Sequence, residues 1–109
     1  IWSGTDHLTV PILSLGGKGV ISVAANVFPK EMQKLCSLYF EGNYIESARK
    51  QIELIPLIDA LFSDINPVPV KEILNLLGKD FGPCRLPISE MDNVKKEKLI
   101  EVLKQYELL

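Results

Sequence analysis

Residues 16–32 read GGKGVISVAANVFPKEM, and the position of the glycines relative to the apolar run VISV decides the fold class. Gly16 and Gly17 follow a segment with helical spacing, so they are predicted to end a helix. The run Val20–Val23 is continuously apolar, which is typical of a strand buried on both faces in a parallel sheet. Functional groups of α/β folds gather after the carboxyl ends of strands, and phosphate loops also follow strands. Because the glycine loop precedes its strand, we interpret the loop as structural and Lys18 as a solvated loop residue.

The residues before this stretch predict one βαβ corner. Ile1 and Trp2 are apolar and resemble the last residues of a strand, so we expect the chain to be a piece of a longer one. Residues 3–6 form a polar turn, and Asp6 is predicted to cap a helix that runs to about Leu15. The positions suited to chemistry are then Ser3–Asp6 and Ala24–Val27, since each follows a strand.

The residues after Val27 predict four helices. Pro29 suits a first helical position, and Gly42 is predicted to end that helix. The next helix is expected to bury one face and part of a second, with a kink at Pro56. The first face comprises Ile45, Ala48, Ile52, Ile55 and Phe62, and the second comprises Tyr44, Leu54, Ile58 and Leu61. A shorter helix is expected to bury Val70, Ile73, Leu74 and Leu77, and a last helix, capped by Ser89, to bury Leu99, Ile100, Leu103 and Tyr106.

Composition excludes several classes of protein. The 109 residues suffice for one domain with a modest core, and the content of 47% hydrophobic and 24% charged residues is that of a globular protein. A net charge of −2 gives no support to nucleic-acid binding or to attachment to an anionic membrane. No apolar run approaches the length of a membrane span. The two cysteines, Cys36 and Cys84, are interpreted as buried free thiols in a reducing compartment.

Taken singly, the polar residues carry weak catalytic signals. His7 has no Glu or Cys partner at metal-binding spacing, and the carboxylates of Glu41, Glu46, Glu53 and Asp59 fall on polar helix faces. No GxSxG, HExxH or P-loop pattern occurs. The residues alone therefore indicate neither a nucleophile nor a metal site.

Five segments resemble the C-terminal part of the dihydrodipicolinate synthase family, from the first residue of the chain to the last. In order they read SGTD, LTVPILSLGGKGVISVAANVFPKEM, NPVPVKEILNLLG, RLPIS and LKQYELL. GVISVAANV and NPVPVK resemble the synthases more closely than the related N-acetylneuraminate lyases and keto-deoxy sugar acid aldolases. The match is specific because order and spacing agree throughout.

The resemblance implies an α/β parent fold, a TIM (β/α)8 barrel with a C-terminal helical extension. Such barrels need about 250 residues. Residues 1–41 would supply the end of strand seven, helix seven, strand eight and helix eight. Residues 42–109 would form the three-helix extension. The chain itself would be a mostly α-helical fragment with one βαβ corner.

The resemblance also implies the chemistry of the whole protein, a condensation of pyruvate with aspartate semialdehyde through a lysine Schiff base in lysine and diaminopimelate biosynthesis. The family's Schiff-base lysine and relay tyrosine precede the position of Ile1, so this chain contains no catalytic residue, and Lys18, Lys30 and Lys71 do not match that position. The matched pocket-lining positions are Gly4, Thr5, Asp6, Ile21 and Asn66, with Thr5 departing from the more usual aspartate and Ile21 presenting its backbone carbonyl to bound pyruvate.

The resemblance implies no cofactor and no metal, a cytoplasmic location and a homo-oligomer, with no nucleic acid or membrane as partner. The family's lysine-feedback site and tight-dimer tyrosine would also precede Ile1. Two alternatives stay open. One is a fragment of another pyruvate-dependent aldolase such as a neuraminate lyase, and the other is a stand-alone helical interaction module.

Overall fold

A computed structural model describes residues 1–109 and contains five α-helices. They are α1 (Thr9–Ser14), α2 (Pro29–Phe40), α3 (Tyr44–Leu61), α4 (Val68–Leu76) and α5 (Asn93–Gln105). Short 3₁₀ turns occupy Asp6–Leu8 and Ala24–Asn26. The chain divides into two compact units, Ile1–Ile58 and Asp59–Leu109, with the division inside α3. None of the helices combines the length and the apolar character that crossing a membrane requires.

In the first unit, the segment before α1 pairs in parallel with the segment after α1 through backbone hydrogen bonds. Ser3 N donates to the Gly19 carbonyl and Ile21 N donates to the Ser3 carbonyl, both at 2.9 Å, which makes one bridge between Ser3 and Val20. The predicted strand over Val20–Val23 is therefore too long. Val23 already has helical dihedral angles (φ −71°, ψ −42°), because the chain turns there to enter the second 3₁₀ segment.

The GGKG loop ends α1, as predicted. Gly16 has φ +89° and donates to the Leu13 carbonyl at 3.0 Å, while Gly17 donates to the Ile12 carbonyl at 2.9 Å. These two bonds form a Schellman motif, which needs the left-handed conformation that glycine adopts readily. Gly19 is needed for a different reason, since a Cβ there would lie 2.6 Å from the Trp2 ring. Lys18 is exposed.

The two longer helices of the first unit begin where the sequence predicts, but the inward face of α3 differs. Pro29 is the first residue of α2, and α3 starts directly after Asn43. Ile45 and Ile52 are 75% and 71% exposed, so their assignment to the core is wrong. Leu54, Ile58 and Leu61 of the second predicted face are buried as predicted, and the other buried positions of the helix are Ser47, Gln51, Leu57 and Ala60. Pro56 lies inside the helix, which continues past it.

The second unit packs α4 and α5 around an apolar interior. The buried side chains are Ala60, Leu61, Val68, Pro69, Val70, Ile73, Leu74, Met91, Leu99 and Leu103. The cap of α5 is Asp92, whose side chain accepts from Lys95 N at 3.0 Å, so the prediction that Ser89 caps this helix is wrong. Asp92 occupies the cap position because it directly precedes Asn93, the first residue of α5, whereas an irregular stretch separates Ser89 from the helix. Lys95 also pairs with Asp64 at 3.0 Å across this unit.

Candidate functional site

The polar turn after the bridged Ser3 carries three of the predicted site residues. Gly4 is exposed, and no atom lies within 4 Å of where its Cβ would be. Thr5 is half-buried, and its Oγ1 lies 3.3 Å from Nδ1 of His7. The Ser3 hydroxyl donates to the Thr5 carbonyl at 2.7 Å. The turn is therefore fixed by its own side chains while Gly4 leaves open space beside it.

Asp6 is fully buried, and its carboxylate caps a different segment from the one predicted. The side chain does not cap the helix that it begins. Oδ2 accepts from Val23 N and Ala24 N, both at 3.1 Å, and Oδ1 accepts from the Ser22 hydroxyl. Ser22 Oγ in turn accepts from Ala25 N at 2.8 Å. The carboxylate therefore holds the start of the 3₁₀ turn that follows the second paired segment.

Gln51 is a buried polar residue that the sequence interpretation missed. Its Nε2 donates to the Asp6 carbonyl at 3.1 Å, and its Oε1 accepts from Val10 N at 3.2 Å. Val10 lies in the first turn of α1, where backbone N–H groups lack helical partners. The available signal was the spacing of Ser47 and Gln51 at i and i+4 with Leu54, which is one helix face. We name Asp6, Ser22 and Gln51, with the backbone groups they bind, the Asp6 cluster.

Ile21 lies on the other side of the bridge, and both Ile21 and Trp2 expose apolar side chains. Its side chain is 74% exposed, and Trp2 is 61% exposed. An open cavity of about 300 Å³ beside Trp2 is lined mainly by Val20, Pro29, Met32, Cys36 and Phe40, together with Lys18, Gly19, Ser22, Ala25 and Gln33. Burial raises the pKa of the Cys36 thiol, which disfavours the reactive thiolate. Cys36 and Cys84 are both free and half-buried, less enclosed than predicted.

Asn66 lies in the second unit, whereas the other four predicted residues lie in the first. It is exposed, and its bond to Pro67 is cis. The second unit has its own open cavity of about 470 Å³, lined by α4, α5 and the irregular segment between them. Lys71 Nζ lies at this cavity and donates to the Pro83 carbonyl at 2.6 Å.

The lysines present here do not offer a Schiff-base site. A lysine nucleophile needs a desolvated pocket that favours its neutral amine. Lys18 and Lys30 are exposed, and Lys71 is half-buried with its amine bound to a carbonyl. The Asp6 cluster in the first unit instead holds the backbone of the turns that follow the two paired segments. It resembles the wall of a pocket more than a complete catalytic centre.

Comparison with known proteins agrees with this incomplete geometry. The family model described as "Dihydrodipicolinate synthetase family" matches residues 1–106. The 4-hydroxy-tetrahydrodipicolinate synthase of Acetivibrio thermocellus is 46% identical over the whole chain, and that of Archaeoglobus fulgidus is 50% identical over 98% of it. The crystal structure of the Thermotoga maritima dihydrodipicolinate synthase superposes with a TM-score of 0.95 at 46% identity, over 99% of this chain and 37% of that one.

The chain spans about 37% of the length of these curated relatives. The matched structures are TIM barrels, and this mostly helical chain covers 37–38% of the length of two of them. A stand-alone helical module does not account for matches that run along nearly the whole chain at such identity. The chain belongs to the dihydrodipicolinate synthetase family.

Proposed function

We propose that this chain is the C-terminal part of a synthase that condenses pyruvate with aspartate semialdehyde in lysine and diaminopimelate biosynthesis. The observation that carries the proposal is the match of residues 1–106 to the family, with synthases as the named relatives. The matched structure of the Acinetobacter baumannii synthase, 30% identical to this chain, is a complex with pyruvate. The proposed location is the cytoplasm.

The proposed mechanism follows the family. A lysine amine in the part of the protein before Ile1 attacks the pyruvate ketone, and water leaves as the imine forms. Loss of a proton from the pyruvate methyl group gives the enamine carbon nucleophile that adds to the aldehyde. Residues 1–41 would supply the last part of the barrel, with Gly4, Thr5, Asp6 and Ile21 at the pocket wall. Residues 42–109 would supply the extension, with Asn66 at the pocket entrance.

Borohydride trapping tests this proposal. The full-length protein, incubated with pyruvate and sodium borohydride, is expected to gain one reduced pyruvate adduct on a lysine before Ile1. The chain of residues 1–109 alone is expected to keep its mass, because none of its lysines is fully buried. A stoichiometric adduct on Lys18, Lys30 or Lys71 would contradict the proposal, as would a full-length protein without any adduct.

We also propose that the exposed apolar residues at the paired segments are covered by the rest of the barrel. Ile1, Trp2 and Ile21 are all more than half exposed in this chain, and open strand edges recruit other chains. The isolated fragment is therefore expected to self-associate, with Val23 also at the contact. Sedimentation equilibrium at several concentrations checks this, and a monodisperse monomer with Trp2 emission of a solvated indole would contradict it. For the whole protein we propose a homo-oligomer; one matched structure is that of a synthase variant described as the first monomeric one.

A further inference from the structure

We infer that Gln51 and Asp6 are positioning residues that set the direction of the Ile21 carbonyl at the pyruvate end of the pocket. The inference rests on the proposed function, in which Ile21 lies at the pocket wall, and on the family resemblance, which implies that its carbonyl lies close to bound pyruvate. It assigns a role to α3, which belongs to the proposed extension. Contacts within the first unit link Gln51 to this carbonyl in three steps.

The first step is that the Asp6 carboxylate fixes the backbone after Ile21. Three donors from consecutive residues converge on it, namely the Ser22 hydroxyl, Val23 N and Ala24 N. A buried carboxylate that accepts several hydrogen bonds holds its donors in one geometry, since rotation would leave a buried group without a partner. The position of the segment from Ser22 to Ala24 therefore depends on the position of Asp6.

The second step is that Gln51 holds Asp6 itself. The glutamine amide donates to the Asp6 carbonyl, which also accepts from the Thr9 hydroxyl at 2.9 Å. The amide oxygen accepts from Val10 N, so one side chain binds the backbone on both sides of the junction between the 3₁₀ turn and α1. Both polar atoms of Gln51 are used, and the residue is only 6% exposed.

The third step is that the Ile21–Ser22 peptide lies between two anchored points. On one side, Ile21 N donates to the Ser3 carbonyl at 2.9 Å. On the other side, Ser22 is held by its hydroxyl through Asp6 and through Ala25 N. The plane of the peptide between them, and with it the direction of the Ile21 carbonyl, is set by these anchors. A small displacement of a group that positions substrate can cost about a hundredfold in rate.

The test uses the full-length protein with Gln51→Met, which keeps the length of the side chain and removes both hydrogen bonds. The matched control is Ser47→Ala, one turn earlier on the same helix. Ser47 is also fully buried, and it donates to the Leu35 carbonyl at 2.8 Å rather than to the Asp6 cluster. Both variants lose a buried hydrogen bond, so both are expected to melt below the unaltered protein.

The readout is the ratio of kcat/KM for pyruvate to kcat/KM for aspartate semialdehyde. In a two-step covalent mechanism these values report separate half-reactions, and their ratio does not change when part of the protein is unfolded. Gln51→Met is expected to lower kcat/KM for pyruvate, and the ratio, by about tenfold or more. Ser47→Ala is expected to leave the ratio within about twofold.

A second variant covers the case in which Gln51→Met does not fold. Ser22→Ala removes both contacts of the Ser22 hydroxyl, to Asp6 and to Ala25 N, but leaves Val23 N and Ala24 N bound to Asp6. It is therefore expected to lower the same ratio by less than Gln51→Met. An unchanged ratio in Gln51→Met, or in Ser22→Ala where the first variant does not fold, would overturn the inference, as would an equal fall in Ser47→Ala. If the unaltered full-length protein forms no pyruvate adduct, the proposed function itself fails, so the two failures are distinguishable.

Discussion

The two units of the chain have interiors of different chemistry. In the first unit, the buried residues include Ser3, Asp6, Thr9, Ser47 and Gln51 among its apolar side chains. In the second unit, Asp59–Leu109, every buried side chain is apolar, and the charged pairs lie at its surface. No buried side-chain polar atom in the chain lacks a hydrogen-bond partner.

The contrast between the two interiors indicates which interactions hold each unit together. Ser3, Thr9 and Gln51 bind backbone groups of turns and of the start of α1, which fixes segments that no regular helix or sheet holds, whereas Ser47 binds the Leu35 carbonyl within α2. The second unit relies on the area of apolar surface that its helices bury, a force without direction. We expect the first unit to lose geometry when a polar group is removed and the second to lose stability when a methyl group is removed.

The largest effect is expected for Leu99→Ala in the second unit. Leu99 is 1% exposed, and truncation of such a core leucine leaves a cavity that costs about 2–5 kcal/mol of unfolding free energy. Urea denaturation of the chain measures it. The control is Val94→Ala on the same helix, 62% exposed, which is expected to change the free energy by less than about 0.5 kcal/mol. Equal effects of the two substitutions would mean that α5 does not present Leu99 to a core.

Asp6→Ala tests the corresponding point in the first unit. The substitution leaves the buried Ala24 N–H, and the half-buried Val23 N–H, without their acceptor. An unsatisfied buried donor costs about 1–3 kcal/mol, so a loss in that range is expected in the same denaturation experiment. Glu41→Ala, which removes an exposed carboxylate from the same unit, serves as the control. A neutral Asp6→Ala would show that the turn does not depend on the carboxylate.

Gly42→Ala and Gly78→Ala test whether a glycine that ends a helix contributes equally to the stability of both units. Gly42 has φ +85° and Gly78 has φ +76°, and neither has an atom within 4 Å of an added Cβ. The only penalty is the left-handed backbone, about 1–2 kcal/mol for an L-residue. Thermal unfolding is expected to give similar losses for the two variants. A difference of more than about twofold would show that the units respond unequally to the same local strain.

The smallest effect is expected at the ion pairs, where the units differ in exposure. In the first unit, Lys50 Nζ lies 2.9 Å from Glu31 and 3.1 Å from Glu53, and its side chain is 17% exposed. In the second unit, the Lys95 side chain is 43% exposed. Hydrogen bonds to Glu31 and to Asp64 raise the pKa values of Lys50 and Lys95, respectively. Lys50→Met is therefore expected to lower the melting temperature more than Lys95→Met.

The pH dependence of the Lys95 pair follows from the direction of each pKa shift. The Ile65 backbone N–H, and then Lys95, lower the pKa of Asp64, so its contribution is present above the ordinary value of 3.8 and declines as the pH falls below it. The raised pKa of Lys95 means that its contribution is present below 10.5 and is lost as the pH rises beyond that value. In Lys95→Met, the melting temperature should fall less steeply at both extremes, and an unchanged pH profile would contradict this.

The sequence predicted the elements whose signals are local. Pro29, Gly16, Gly42 and the apolar spacing of α4 gave helix starts, ends and faces, because these signals act within a few residues. The first of the two faces predicted for α3 was wrong at Ile45 and Ile52, because the helix buries Gln51 for a hydrogen bond to a residue 45 positions away in sequence, which no local periodicity contains. The predicted length of the Val20–Val23 strand was wrong for the same reason, because the length of a strand depends on the strands that pair with it.

The candidate site was predicted by position and not by interaction. The family resemblance indicated Asp6 as a pocket residue. Its hydrogen bonds to Ser22 and Ala24 could not be predicted, because they depend on the fold bringing two distant turns together. Ser89 lost the cap of α5 to Asp92 because a cap depends on where the chain enters the helix, a boundary that sequence patterns place only approximately.

Asn75 gives the irregular segment between α4 and α5 a property that its composition would not suggest. Its Oδ1 accepts from Phe81 N at 2.7 Å and Gly82 N at 3.1 Å, and its Nδ2 donates to the Gly82 carbonyl at 3.0 Å. The first half of the segment is thus fastened to α4, whereas Leu86 is 91% exposed. A trypsin cut after Arg85 would leave this fastening on one product, with buried Met91 on the other. Nicking there should therefore yield two peptides that still migrate together until denatured, and an epitope tag inserted at the same bond should be tolerated.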